Sequence, residues 1–307
     1  MQKKRIKKLC LALITAAALV LTGCAGDTPD TDLQQDSTPP ARPIMTPEEY
    51  PVVDGSTANL PMMHEIMSRV TGITAEEAAI QTKCSKTSGA WFELAYGNSD
   101  LLLVYEASEG TKAELDNIGT ELEITPIGRD ALVFIVNEDN PINDLTEQQL
   151  IDIYSGKITN WSQIGGENQE ILPFQRPESS GSQSLFMKLL MTDTAPIDAP
   201  TEMRPTEMGG LIETLASYNN SANALGYSVF YYASYMYQQP GLKFVSVNGV
   251  MPSDETIADG SYPLLNEYYL AIRADEPEDS NTRKLQQWIL SDEGSRAIRD
   301  AGYIPLN

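Results

Sequence analysis

Histidine and cysteine are nearly missing from this chain: its 307 residues include one His and three Cys. The single His64 has no partners for a Ser-His-Asp triad. No group of His, Cys and carboxylates has zinc spacing, so no metal is expected. No glycine-rich run matches a nucleotide-binding loop, and no cofactor is expected. The sequence offers no positive reason to propose an enzyme. Cys10 and Cys24 fall in the N-terminal leader and at its end, which leaves Cys84 alone, without a disulfide partner, as a small buried hydrophobe. Basic residues are also scarce, with 21 Lys and Arg against 43 Asp and Glu and a net charge of −22. Nucleic acid, which requires basic patches, is excluded as a partner. Past the first 23 residues there is no long apolar run to span a membrane, and there is no internal repeat.

What is present begins with the leader. Lys3, Lys4, Arg5, Lys7 and Lys8 precede an apolar stretch from Leu9 to Leu21, followed by Leu21-Thr22-Gly23-Cys24. This pattern reads as an export signal over residues 1–23. Its last four residues resemble a lipobox, which predicts cleavage before Cys24 and lipidation of that cysteine. Removing the five basic residues of the leader takes the net charge from −22 to about −27. Residues 24–49 read as the lipidated Cys and a disordered linker, because the stretch is polar, acidic and rich in proline. A flexible tether of that length spans about 25–30 Å.

Residues 50–307 are enough for two lobes. Strand candidates are Ala79–Thr82, Leu101–Tyr105, Ala131–Val136, Leu225–Val229 and Tyr268–Ile272. Several are continuous apolar runs, as in strands covered on both faces of an α/β sheet. A helix is expected from Thr146, whose capping box pairs it with Gln149. Another is expected from Arg283 to Leu290, with Leu285, Trp288 and Ile289 on one stripe, and a shorter one before Gly302.

Three Ser/Thr/Gly clusters lie at predicted strand ends: Asp54–Asn59, Lys86–Ala90 and Arg176–Ser182. Each can cap a helix. Helix N-termini leave N–H groups unpaired and carry positive partial charge. Three of them converging would form an anion site, with hydroxyls and the planar Arg176 as further donors. Glu178 is placed to hold the Arg176 guanidinium.

Together with Asp130–Asn137, Asn140-Pro141, Gly156–Trp161, Ala224–Ser228, Ser291–Gly294 and Gly302–Leu306, these clusters make the chain resemble the substrate-binding proteins of phosphate ABC transporters. Those proteins belong to the type II periplasmic-binding-protein superfamily. The resemblance implies an α/β fold of two lobes with a ligand cleft between them. Lobe 1 would be residues 50–130 plus 262–307, and lobe 2 residues 131–261. The anion loop maps onto Arg176, Ser180, Gly181 and Ser182, the first-lobe loop onto Ser56 and Thr57, and the second turn onto Thr87 and Ser88. Glu178 maps onto the acidic partner of Arg176. Glu106 stands where the family has a carboxylate that accepts a proton from the ligand, a feature that admits phosphate and repels a fully ionised anion. The implied function is capture of inorganic phosphate by a monomeric, lipid-anchored protein on the outer side of the cell membrane, for delivery to an ABC permease. The alternatives are a binder or sensor of another oxyanion such as sulfate or molybdate, or an enzyme or adhesin on the same scaffold.

Overall fold

A computed structural model describes residues 42–217 and 221–306. The expected signal, Cys24 and the linker as far as residue 41 lie outside the described residues. The end of the expected linker is folded. The N–H groups of Ile44 and Met45 donate to Val70 O at 2.9 and 3.3 Å, Met45 is buried, and Pro47–Glu49 form a 3-10 turn. Ile44 and Met45 end the polar run, and Met45 packs into the hydrophobic core and docks this segment while Ile44 stays exposed.

Strand β1 (Val53–Gly55) runs through a 3-10 turn (Thr57–Asn59) into helix α1 (Leu60–Thr71). Met62, Met63, Ile66, Met67 and Val70 form the buried face of α1. It ends at Gly72, whose φ of +80° provides a left-handed cap. Helix α2 (Ala75–Gln81) replaces the strand expected over Ala79–Thr82. Thr74 Oγ1 accepts from Glu77 N at 3.2 Å and the Glu77 carboxylate accepts from Thr74 N at 2.9 Å. This capping box outweighs a short apolar run, which has no period of its own. Ile80 on that helix faces solvent.

The chain continues as α3 (Lys86–Ala95), β2 (Leu101–Tyr105), α4 (Glu109–Ile118), β3 (Leu122–Asn137), β4 (Asp144–Leu145) and α5 (Glu147–Tyr154). Next come β5 (Leu172–Pro173), α6 (Gly181–Leu189), α7 (Met208–Ser217), β6 (Ala224–Val229), β7 (Leu242–Val247) and α8 (Asp254–Ala258). It closes with β8 (Leu265–Arg273), α9 (Asn281–Ile289), α10 (Asp292–Asp300) and β9 (Ile304–Pro305). Helix α10, capped by Ser291, is as long as α9 rather than shorter. Thr146 and Gln149 cap α5 as expected.

One strand organises both lobes of this α/β fold. Strand β3 has 16 residues. Its first part, as far as Ala131, pairs antiparallel with β8, which pairs with β2, and β2 runs parallel to β1. From Leu132 onward it pairs with β6, and from Phe134 with β7 on its other side. The partner exchange falls between Ala131 and Leu132, so the backbone ladder stays satisfied while the chain passes between lobes. A register shift between Pro126 and Gly128 bends β3 before this point. Gly128 is required there, because a Cβ would lie 1.8 Å from the Tyr268 hydroxyl oxygen.

Asp130 locks the crossover. Its Oδ2 accepts from Tyr105 OH at 2.6 Å, and its Oδ1 accepts from Ala131 N at 2.7 Å and from Tyr231 N at 3.2 Å. The carboxylate thereby ties β2 of one lobe to the segment leaving β6 of the other. Tyr231 stacks on Tyr303 with ring centroids 3.5 Å apart, and Tyr105 meets Tyr268 edge-on. Burial pushes the Asp130 carboxyl up to about 6, only partly opposed by the hydrogen bonds it accepts. The folded chain therefore holds a proton that the unfolded chain releases. The stabilising contribution is full below pH about 4 and is lost as pH rises through about 6. Urea titrations should show the stability of the wild type falling relative to Asp130→Asn across that window, with a constant difference between the two above it. A difference that stays flat through the window would refute the raised pKa.

Candidate functional site

Asp54 shapes the site without facing it. It is fully buried on β1, and its Oδ1 accepts from Gly55 N and Ser85 N, both at 2.7 Å. Its Oδ2 accepts from Ser99 Oγ at 3.3 Å. Pinning Ser85 beside β1 starts α3 next to the turn at Ser56. Lys86 then takes a φ of +64°, uncommon for a residue with a side chain. Ser56 Oγ lies 2.9 Å from Thr87 Oγ1 and accepts from Tyr105 N at 3.1 Å.

The second lobe contributes Arg176 and the start of α6. Arg176 N donates to Gln183 Oε1 at 2.9 Å and to Tyr227 OH at 3.1 Å. Its Nε donates to Pro205 O at 2.8 Å and its Nη2 to Thr206 O at 2.9 Å. Nη1 is buried with no hydrogen-bond partner. Burial lowers the guanidinium pKa from its ordinary value. The carbonyls of Pro205 and Thr206, rather than Glu178, hold this side chain, and they answer two of its donors without neutralising its charge.

A cavity of about 210 Å³ brings the two lobes together over Ser56, Thr57, Thr87, Arg176, Ser180, Gly181 and Ser182. The expected capping roles are not found there. Ser56, Ser85 and Ser180 make no side-chain bond to the turns they precede. Thr74, Ser108, Thr146, Ser253, Ser280 and Ser291, before helices elsewhere, all do. The hydroxyls at the cavity pair with each other instead, as Ser180 Oγ and Ser182 Oγ do at 3.0 Å. The N–H groups at these helix starts stay uncapped beside Arg176, a donor set suited to an anion.

Three expected site residues stand elsewhere. Ser88 Oγ accepts from Thr111 Oγ1 at 3.0 Å and donates across the lobes to Ser179 O at 3.2 Å, so it joins the lobes. Glu106 and Glu178 line a separate, larger cavity of about 620 Å³, which shares Arg176 and Pro177 with the first. Glu106 accepts from Lys112 Nζ at 2.7 Å and also from Lys188. Its burial opposes ionisation, but the two lysines prevail and hold its carboxyl below the usual range.

The smaller cavity is also lined by Lys86 and Ser179, which lie within the expected clusters but were given no role there, and by Tyr105, Thr206 and Glu207, which sequence reasoning missed. Lys86 and Tyr105 are each one position from an expected residue. Glu207 had no local signal, since its relation to the cavity depends on the path from 177 to 206. Among the described residues no cluster of His, Cys, Asp and Glu could hold a metal, and no helix is long and apolar enough to cross a membrane.

Residues 45–293 match the family model described as the PBP superfamily domain. The phosphate-binding protein PstS of Bacillus subtilis is 23% identical, over 97% of this chain and 94% of its own. The protein of the same name from Borreliella burgdorferi is 24% identical, over 84% of this chain and 91% of its own. The crystal structure of an ABC-type phosphate transport receptor from Vibrio cholerae superposes with a TM-score of 0.61 at 24% identity, covering 82% of this chain and 98% of that one. At that identity the superposition establishes the two-lobed fold.

Gly181 sets how near the lobes approach, because a Cβ there would lie 2.5 Å from Thr87 Oγ1 of the opposite lobe. Gly181→Ala should therefore hold the lobes apart. Amides at the starts of α3 and α6 should exchange at least ~10-fold faster, with little change in global stability. Unchanged exchange there would show that the close approach does not control closure.

Proposed function

Because this chain belongs to the PBP superfamily, we propose that it captures inorganic phosphate in the cleft between its lobes and hands it to an ABC permease. The observation that carries this reading is the Arg176 Nη1 group, buried and without a partner beside a cavity that collects hydroxyls from both lobes. A buried donor left unpaired is costly, and an oxyanion in that cavity would pair it and compensate the charge. Ser56, Thr57 and Thr87 bind from one side, and Ser180, Gly181 and Ser182 from the other. The lobes comprise residues 50–130 with 262–307 and residues 131–261, and ligand draws them together. The protein performs no catalysis. It acts as a monomer outside the cytoplasm, anchored to the cell membrane through lipid on Cys24.

A second reading, capture of a fully ionised oxyanion such as sulfate, is favoured by one observation. Glu106, the carboxylate expected to accept the ligand's proton, is engaged by two lysines and lines the other cavity. Calorimetric titration of the mature chain with phosphate, sulfate and molybdate separates the readings. Phosphate should bind, and Arg176→Met should weaken it about 100-fold or more. Heat with sulfate alone would overturn the phosphate reading, and heat with no anion would overturn both.

A further inference from the structure

Two ion pairs cross the cleft with opposite polarity. On one side, Lys86 Nζ of the first lobe donates to Glu207 Oε1 of the second at 2.6 Å. On the other, Glu106 of the first lobe accepts from Lys188 of the second. Each lobe thus presents one cation and one carboxylate to its neighbour. The pairs stand on either side of the wall formed by Arg176 and Pro177, since Lys86 and Glu207 line the smaller cavity and Glu106 and Lys188 the larger.

Each partner is tied to the anion site. Lys86 precedes Thr87 and is aimed by a left-handed backbone that Asp54 fixes through Ser85. Glu207 follows Pro205 and Thr206, whose carbonyls hold Arg176. Glu106 follows Tyr105, whose N–H is bonded to Ser56. Lys188 lies on α6, the helix that begins at Gly181.

We propose that these crossed pairs form a latch that sets the register of lobe closure and slows escape of the captured anion. A rotation that exchanged partners would set Lys86 against Lys188 and Glu106 against Glu207, so only one closed register is attractive. Lys86 and Glu207 are more than half exposed, so their contribution is modest and screened by salt. A modest contribution suits a receptor that must reopen. The effect on release rests on the phosphate reading; the effect on closure does not.

The test measures closure and release separately. Spin labels at Asp116→Cys on α4 and Glu167→Cys in the second lobe, with Cys84→Ser, report the inter-lobe distance in ligand-free protein. Raising salt from ~0.05 to ~1 M should widen the distance distribution of the wild-type pair. Lys86→Glu should widen it at low salt and speed phosphate release about two- to fivefold. The swap Lys86→Glu with Glu207→Lys should restore the narrow distribution and bring release within about twofold of wild type. A swap as open as the single variant, or distances indifferent to both salt and charge, would overturn the latch. So would a Glu207→Gln protein that gains sulfate binding with unchanged distances, because Glu207 would then read the ligand's charge directly. If phosphate fails to bind the wild type, the phosphate reading falls and the distances alone decide the latch.

Discussion

A buried guanidinium held by carbonyls is the interaction on which the cleft depends. Removing a cation from water is expensive unless its donors and its charge are both answered. Pro205 and Thr206 answer two donors of Arg176 and leave its charge in place. The backbone beneath is fixed by Gln183 and Tyr227. Tyr227 stacks on Phe186 with centroids 4.5 Å apart and planes 2° from parallel, within a cluster that includes Phe134 and Tyr154. The aromatic core of the second lobe therefore aims a charge at the cavity, and rigid packing supplies the preorganisation that a flexible arginine lacks.

That charge is useful only if the opposite lobe can approach and withdraw. Strand β3 permits this because it exchanges partners without breaking its ladder, and Asp130 braces the exchange with bonds from Tyr105 and Tyr231. Tyr105 also lines the cavity, and its N–H reaches Ser56. The crossover and the anion site thus share a residue, so a rotation at one is felt at the other.

The fold was largely legible because its strands are continuous apolar runs. Leu101–Tyr105 and Ala131–Val136 are buried along their whole lengths, and no amphipathic period competes with them. Ala79–Thr82 misled because four residues carry no period, although the capping box at Thr74 and Glu77 was there to be read. In the site, the Ser/Thr/Gly clusters were legible as helix starts, although the hydroxyls before those helices do not cap them. The acidic residues were not. Glu178 is two positions from Arg176, yet the guanidinium turns toward a segment about 30 residues further on. Glu106 is paired across 82 residues, and Lys86 with Glu207 across 121. Such pairings are set by how two lobes meet, which no local pattern encodes.

The chain's acidity then takes on a different meaning. Of its 43 Asp and Glu residues, one among the described residues lines the smaller cavity, and that one, Glu207, is bound to Lys86. The hydrogen bond from Lys86 keeps the Glu207 carboxyl below its ordinary range, so it stays ionised at neutral pH with its charge answered. Exposed charges elsewhere act only over about a Debye length of ~8 Å at physiological salt. Donors at hydrogen-bond distance in a desolvated cavity are not screened in this way. A strongly acidic surface and an anion-seeking cleft are therefore compatible, provided that carboxylates are kept out of the cavity or matched at its edge.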